Sequence, residues 1–432
     1  MATPTHRTRS KGRYCRNGTN QTALTPLIIS PQPSDSICVT GPLLAHDQQA
    51  VSWTKECESL VRDEKLYAHF VTEVLCLSFP VLQAGSNGET LNTLLQFFFG
   101  VEASRHYCLA TSAIHMALGT RIQECEIKQD ALRHVQAALF ELQKLLRSKQ
   151  SLVQSVNTVF VVLVLQTLVE IPSAWVDQLP WQVHFHAAIA LMQHPHPEGQ
   201  LLLVVTLTIW IDILGATMLG KRPLFGRLYQ EYRSMNYDTG LVRLMGCNDV
   251  VMYLIAEIAE LEAMKLELSE EQSEERIGNL SRELDLMDCT ITQGQAYEAA
   301  SLAEAVTAAF QVAARLYLLS LEPRSWDTGK AADLVDTVGV VMMCNVPGGA
   351  DGFDRSIAWP LLMAGSMSKP GSSFRKLYSQ KRQLPHWSSN RGALGKVQAL
   401  LEATWKINDD DRELRTTWRA EAHRRGWSPL IF

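Results

Sequence analysis

The chain has 432 residues, 46% of them hydrophobic and 20% charged, with a net charge of −5. A chain this long buries roughly three quarters of its unfolded surface, so neither a disulfide nor a metal is needed to hold a core. The mild acidity excludes general nucleic-acid binding by the body of the chain; only Arg7, Arg9, Lys11, Arg13 and Arg16, all ahead of the first acidic residue Asp35, carry the sign for phosphate.

Residues 1–58 are basic at the start, then rich in Pro, Ser and Thr, without lasting periodicity. A stretch such as Ser30–Ser36 offers too little apolar surface to offset its ordering entropy, which predicts a disordered tail. No apolar core of a signal peptide precedes the scattered, odd-numbered set of nine cysteines. Free thiols in a reducing compartment are expected. From about Leu60 to the end the pattern is helical, which predicts an all-α domain over residues 59–432. Leu132, Val135, Leu139, Leu142 and Leu146 form one stripe. Val251, Leu254, Ile255, Ile258 and Leu261 form a second, and Val397, Leu400, Leu401 and Trp405 a third. Prolines 172, 180, 195, 223 and 347 fall between such stripes, where a helix ends or begins. Val159–Leu165 and Leu201–Leu214 are apolar but interrupted by Gln166, Glu170 and Asp212, so they read as buried core helices and not as membrane spans. The Glu-rich segment Leu266–Asp285 reads as a solvated helix face or a linker.

Three motifs invite chemistry. Gly215, Gly220 and Lys221 have phosphate-loop spacing, but Arg222 stands where a magnesium-holding hydroxyl belongs and Pro223 follows. Gly220 suits a helix C-cap better, with Lys221 and Arg222 near the negative helix end. His184, His186, His194 and His196 are close in sequence, yet residues two apart on a helix face different ways, which is wrong for a shared zinc ion. Asp409, Asp410 and Glu413 have the DDxxE spacing with which helical terpene cyclases hold magnesium. A segment similar to the second metal motif of those enzymes, Asn248–Glu257, has Met252 and Ala256 at two ligand positions and comes in the reverse order. Asp409–Asp411 read instead as a solvated turn and N-cap. No GxSxG or GxGxxG motif is present. The sequence therefore nominates no catalytic, cofactor-binding or metal-binding residue, and no cofactor.

The helical body resembles the fungal-specific transcription factor domain, the regulatory part of many zinc-cluster activators. The resemblance rests on "LYAHFVTEVLCLSFP", "SRHYCLATSAIHMAL", "WQVHFHAAIALM", "LMGCNDVVMYLIAEIAELE", "WPLLMAGSMS" and "TTWRAEAHRRGWSPL", in that order along residues 60–432. Asp249 departs from the family pattern, where glutamate is common. "RTRSKGRYCR" is similar to the approach to a six-cysteine zinc cluster, but the cysteine after Cys15 is Cys38, far outside the spacing. The resemblance implies a nuclear regulator of transcription and not an enzyme. It would act on a fungal secondary-metabolite pathway of mycotoxin or terpenoid type through DNA-bound transcription factors or coactivators. A small-molecule effector is compatible with that reading; a membrane and sequence-specific DNA binding by the chain alone are not expected. The alternative is an all-α small-molecule-binding protein or terpenoid diphosphate enzyme using Asp409, Asp410 and Glu413.

Overall fold

A computed structural model describes residues 58–75, 79, 88–119, 124–148, 152–168, 180–192, 201–287, 302–322, 329–344, 357–383, 392–410, 417–427 and 430. Among the described residues there are helices and no strands, as the all-α reading expects. The first part of the chain forms α1 (58–75, with a π-helical stretch Phe70–Val74), α2 (Gly88–Phe99), α3 (Glu102–Gly119), α4 (Glu124–Arg147), α5 (Leu152–Leu168) and α6 (Trp181–Met192). The middle forms α7 (Leu201–Leu219), α8 (Gly226–Ser234), α9 (Leu241–Met245), α10 (Asp249–Met264) and α11 (Glu270–Leu286). The last part forms α12 (Leu302–Ser320), α13 (Gly329–Cys344), α14 (Ala358–Met367), α15 (Ser373–Arg382), α16 (Ala393–Asp410) and α17 (Trp418–Arg424). All of them belong to one compact unit, Cys57–Phe432. The tail expected over residues 1–58 lies outside the described residues, apart from residue 58.

In the first part α3 packs on α4, and α5 on α2, α3, α4 and α6. α5 is rich in valine, whose branched side chain is a weak helix former. Burial overrides that preference: Phe160, Val161, Leu163, Val164 and Leu165 are all at most 2% exposed. The buried hydroxyl of Thr158 is satisfied, since it donates to the Gln154 carbonyl (2.8 Å) and accepts from Ser104 of α3 (3.1 Å).

The stripe expected on α4 packs only in part: Val135 is buried and Leu132 and Leu142 are half-buried. Ala131, His134, Val135 and Ala138 are buried, whereas Leu139 is 58% and Leu146 55% exposed. Small residues let helix axes approach closely, and buried alanines occur on both partners: Ala131 and Ala138 on α4, Ala103, Ala110 and Ala113 on α3. The stripe of α10 is as expected, with Val251, Leu254, Ile255, Ile258 and Leu261 at most 1% exposed. So is that of α16, where Val397, Leu400 and Leu401 are buried and the half-buried Trp405 packs against the core.

α12 lies among α10, α11, α13 and α14. By length and composition alone it could cross a membrane, but 72% of its apolar window is buried inside the protein. The Glu-rich segment is α11, a helix with one wet face. A capping box between Ser269 and Gln272 starts it, and Ile277, Leu280 and Leu284 bury its other face. Its last carbonyls are satisfied by α12 side chains: Gln311 donates to Leu284 (3.1 Å) and Met287 (2.8 Å), and Arg315 to Leu284 (2.7 Å). Cys108 and Cys247 are free and buried.

Candidate functional site

A long-range polar junction centres on Thr217, inside the stretch with phosphate-loop spacing. The Thr217 side chain donates to the Leu214 carbonyl (2.7 Å) and accepts the indole N–H of Trp359 on α14 (2.8 Å). Its own carbonyl accepts from Arg419 of α17 (3.1 and 2.5 Å). Arg419 also pairs with Glu262 of α10 (2.6 and 2.9 Å), and Glu262 accepts from the Tyr317 hydroxyl of α12 (2.5 Å). Trp359 is fully buried, stacked on Phe310 at 5.5 Å and edge-on to Tyr317 at 6.1 Å. Burial and the neighbouring Glu262 carboxylate push the Tyr317 hydroxyl far up, so it stays a donor. Three helices thus meet at one threonine, and α10 and α12 join them through Arg419 and Glu262.

A second junction starts α10. Gly246 has a left-handed φ of 74°, and its carbonyl accepts from Thr307 of α12 (3.0 Å). Thr307 in turn accepts the Asn248 N–H (3.1 Å), while the Asn248 side chain caps α10 at Val250 N (2.8 Å). Asp249 accepts from both the hydroxyl and the N–H of Thr239. A third anchor is Asp212, buried in α7. Its carboxylate accepts from Leu224 N (2.9 Å), Phe225 N (3.1 Å) and the Tyr229 hydroxyl (2.8 Å). Burial raises its pKa, and those three donors hold it back down. The one charge in the apolar run of α7 is therefore the anchor of α8.

The motifs resolve into architecture. Gly215 sits within α7, where an added Cβ would lie 2.3 Å from the Trp181 ring. Gly220 ends α7 at φ 62°, and Lys221 N donates to Ala216 O (3.1 Å), the bond of a glycine-capped helix. Arg222 pairs with Glu267 (2.6 Å). His184 contacts Gln166 (3.2 Å), and burial lowers its pKa; His186 is exposed on the same helix. His194 and His196 lie outside the described residues. Asp409 and Asp410 are not a turn leading into the last helix, as the sequence suggests, but the final residues of α16; Asp411 and Glu413 lie outside the described residues. Carboxylates at a helix C-terminus oppose the helix dipole, and Arg375 offsets this by gripping Asp409 (2.5 and 3.2 Å) while stacking 4.5 Å from the Trp405 ring centroid. The N-cap of α17 is Thr417. In the segment similar to a second metal motif, Met252 and Ala256 are buried and Glu257 is bound to Arg233 (2.8 Å). Among the described residues no group of three or more His, Cys, Asp or Glu is placed to hold a metal ion.

Sequence reasoning missed the Thr217–Trp359–Arg419–Glu262 junction. Its partners lie as much as 202 residues apart, beyond any periodicity. The available signal was indirect: three of the quoted segments, "LMGCNDVVMYLIAEIAELE", "WPLLMAGSMS" and "TTWRAEAHRRGWSPL", supply Glu262, Trp359 and Arg419.

The family model of the fungal-specific transcription factor domain matches residues 65–432. The chain is 33% identical over 365 residues to the transcriptional regulatory protein pro1 of Neurospora crassa, in an alignment covering 79% of this chain and 52% of that protein. It thus spans about half the length of the curated relative it matches. No solved structure matches.

Proposed function

The chain belongs to the family of the fungal-specific transcription factor domain, and we propose that it regulates transcription in the nucleus, on genes of a fungal secondary-metabolite pathway of mycotoxin or terpenoid type. The observation that carries this reading is the match over residues 65–432, whose signature segments supply the buried junction at Thr217. A route to promoters through DNA-bound transcription factors or coactivators is supported by the cysteine spacing. The cysteines after Cys15 are Cys38, Cys57 and Cys76, far outside cluster spacing, so these 432 residues hold no run of six cysteines spaced to share two zinc ions. The basic residues Arg7–Arg16 offer about five phosphate contacts at most, which are blind to sequence and weaken steeply with salt.

The reading is tested by profiling transcripts and metabolites in one deletion strain. A regulator changes the messages of a group of pathway genes together, and added intermediates do not restore them. Unchanged messages with one blocked chemical step, rescued by the next intermediate, would replace the regulator with an enzyme.

A further inference from the structure

Away from the junction at Thr217, a cluster of titratable side chains that includes two facing imidazoles lies between α1, α3 and α4. His106 of α3 and His134 of α4 face each other through their Nδ1 atoms at 3.0 Å. On the far side of each ring stands a carboxylate: Asp63 of α1 is 3.2 Å from His134 Nε2, and Glu102 is 3.4 Å from His106 Nε2. Arg133 reaches both Asp63 (2.7 Å) and His134 Nε2 (3.1 Å). Asp130 accepts from Arg133 (3.2 Å) and pairs with Arg62 of α1 (3.4 Å); Arg105 pairs with Glu102 (3.7 Å). α5, which packs on α3 and α4, carries no titratable residue. The His134 ring is buried, whereas His106 and Glu102 reach solvent.

Counting ring protons shows what the chain tolerates. Two neutral imidazoles carry two. Arg133 then donates to His134 Nε2, His134 Nδ1–H donates to His106 Nδ1, and His106 Nε2–H donates to Glu102. A third proton is also accommodated: His134 Nε2–H turns its bond to Asp63, one Nδ1–H still bridges the rings, and the cation lies between two carboxylates. A fourth puts two N–H groups head-on at 3.0 Å, where no acceptor remains.

We propose that the Asp63–His134–His106–Glu102 chain is an acid-operated latch that keeps α1 docked on α3 and α4 until the imidazole pair takes its last proton. The latch holds α1 because Asp63 is the residue through which that helix joins the pair, by way of Arg133 while both imidazoles are neutral, with Arg62 and Ser59 following through Asp130 and Arg133. Its release lies well below the ordinary histidine range. Burial foremost, then Arg133, holds His134 down to about 4 against a usual 6.5. Protonating an imidazole that is buried neutral favours the open form. The contribution is therefore complete above pH 6.5 and is lost as pH falls toward 4. A second imidazole contact on α1, His69 Nε2 to His115 Nδ1 at 3.0 Å, works in the same direction, since burial also lowers His69 against the opposing pull of Glu73.

The test is amide hydrogen exchange on the full chain from pH 7.5 to 3.5, corrected for intrinsic rates, with α10 as the internal reference. Protection of α1 relative to α10 should fall about tenfold or more between pH 6.5 and 4, a shift of one pKa unit being tenfold in population. In His106→Asn/His134→Asn that relative fall should shrink to what the His69 contact alone contributes. An equal fall in both proteins, or no fall in the wild type, overturns the latch. Where the double variant does not fold, ring-nitrogen NMR of the wild type decides: His134 titrating at about 4 supports the proposal, and His134 titrating near 6.5 overturns it.

Discussion

Two polar clusters tie distant helices of this protein together, and they do so with different chemistry. At Thr217 the partners are a hydroxyl, an indole, a guanidinium, a carboxylate and a phenol whose pKa lies far above the working range. At His134 the partners are two imidazoles within reach of two carboxylates. The second is built around two imidazoles, and burial holds that of His134 below the ordinary histidine range. The difference suits their positions: the Thr217 junction joins five helices of the interior, whereas the histidine pair holds α1, the first helix described, against α3 and α4.

The largest effect should come from Trp359→Ala. It removes a fully buried ring, its stack on Phe310 and the partner of Thr217, and should cost about 3–5 kcal/mol in urea unfolding. A cost under about 1 kcal/mol would mean that the junction does not organise the interior. Next comes Gly215→Ala, whose methyl would meet the Trp181 ring at 2.3 Å and should cost about 1–3 kcal/mol through overpacking. The same substitution should leave ATP affinity undetectable, as in the parent, which isothermal titration checks. Arg419→Ala strips Thr217 O of its donors and leaves Glu262 with Tyr317 alone. We expect a cost of about 1–3 kcal/mol in urea unfolding.

A smaller effect separates two kinds of acid sensitivity. Hydrogen bonds from Arg424 and Arg425 hold the Glu421 carboxyl down at about 2, against an ordinary 4.5. A depressed carboxylate stabilises the fold above its ordinary pKa and loses that contribution as pH falls toward 2. Thermal melts of Glu421→Gln should therefore show a smaller loss of stability below pH 4.5 than wild type, and the same loss as wild type between 6.5 and 4.5. The smallest effect should be Leu139→Ser on the exposed flank of α4, within about 0.5 kcal/mol of wild type. A large cost there would return the leucine stripe to the core.

Much of the local architecture was legible. The stripes of α10 and α16 are buried as their spacing predicts, because a helix repeats its faces every three to four residues whatever surrounds it. Gly220 ends α7 because a left-handed residue is needed there and glycine meets that need without strain. The Glu-rich segment is a solvated helix for the same local reason: its glutamates line one face and Ile277, Leu280 and Leu284 the other. The candidate site was legible only as a set of segments in order, without their meeting point.

What the sequence determined by itself is the class of the fold, the helix faces with a clear apolar majority, and the stops at glycine and proline, since these follow from interactions spanning a few residues. Only the tertiary structure decided that α4 buries its alanines and not Leu139 and Leu146, that Asp409 serves as the counter-charge of Arg375, and that Trp359 and Arg419, 142 and 202 residues from Thr217, converge on it. Each of those outcomes depends on which helix lies alongside which. That choice is made by close packing and by the need of every buried polar group for a partner, and it leaves no period in the chain to be read.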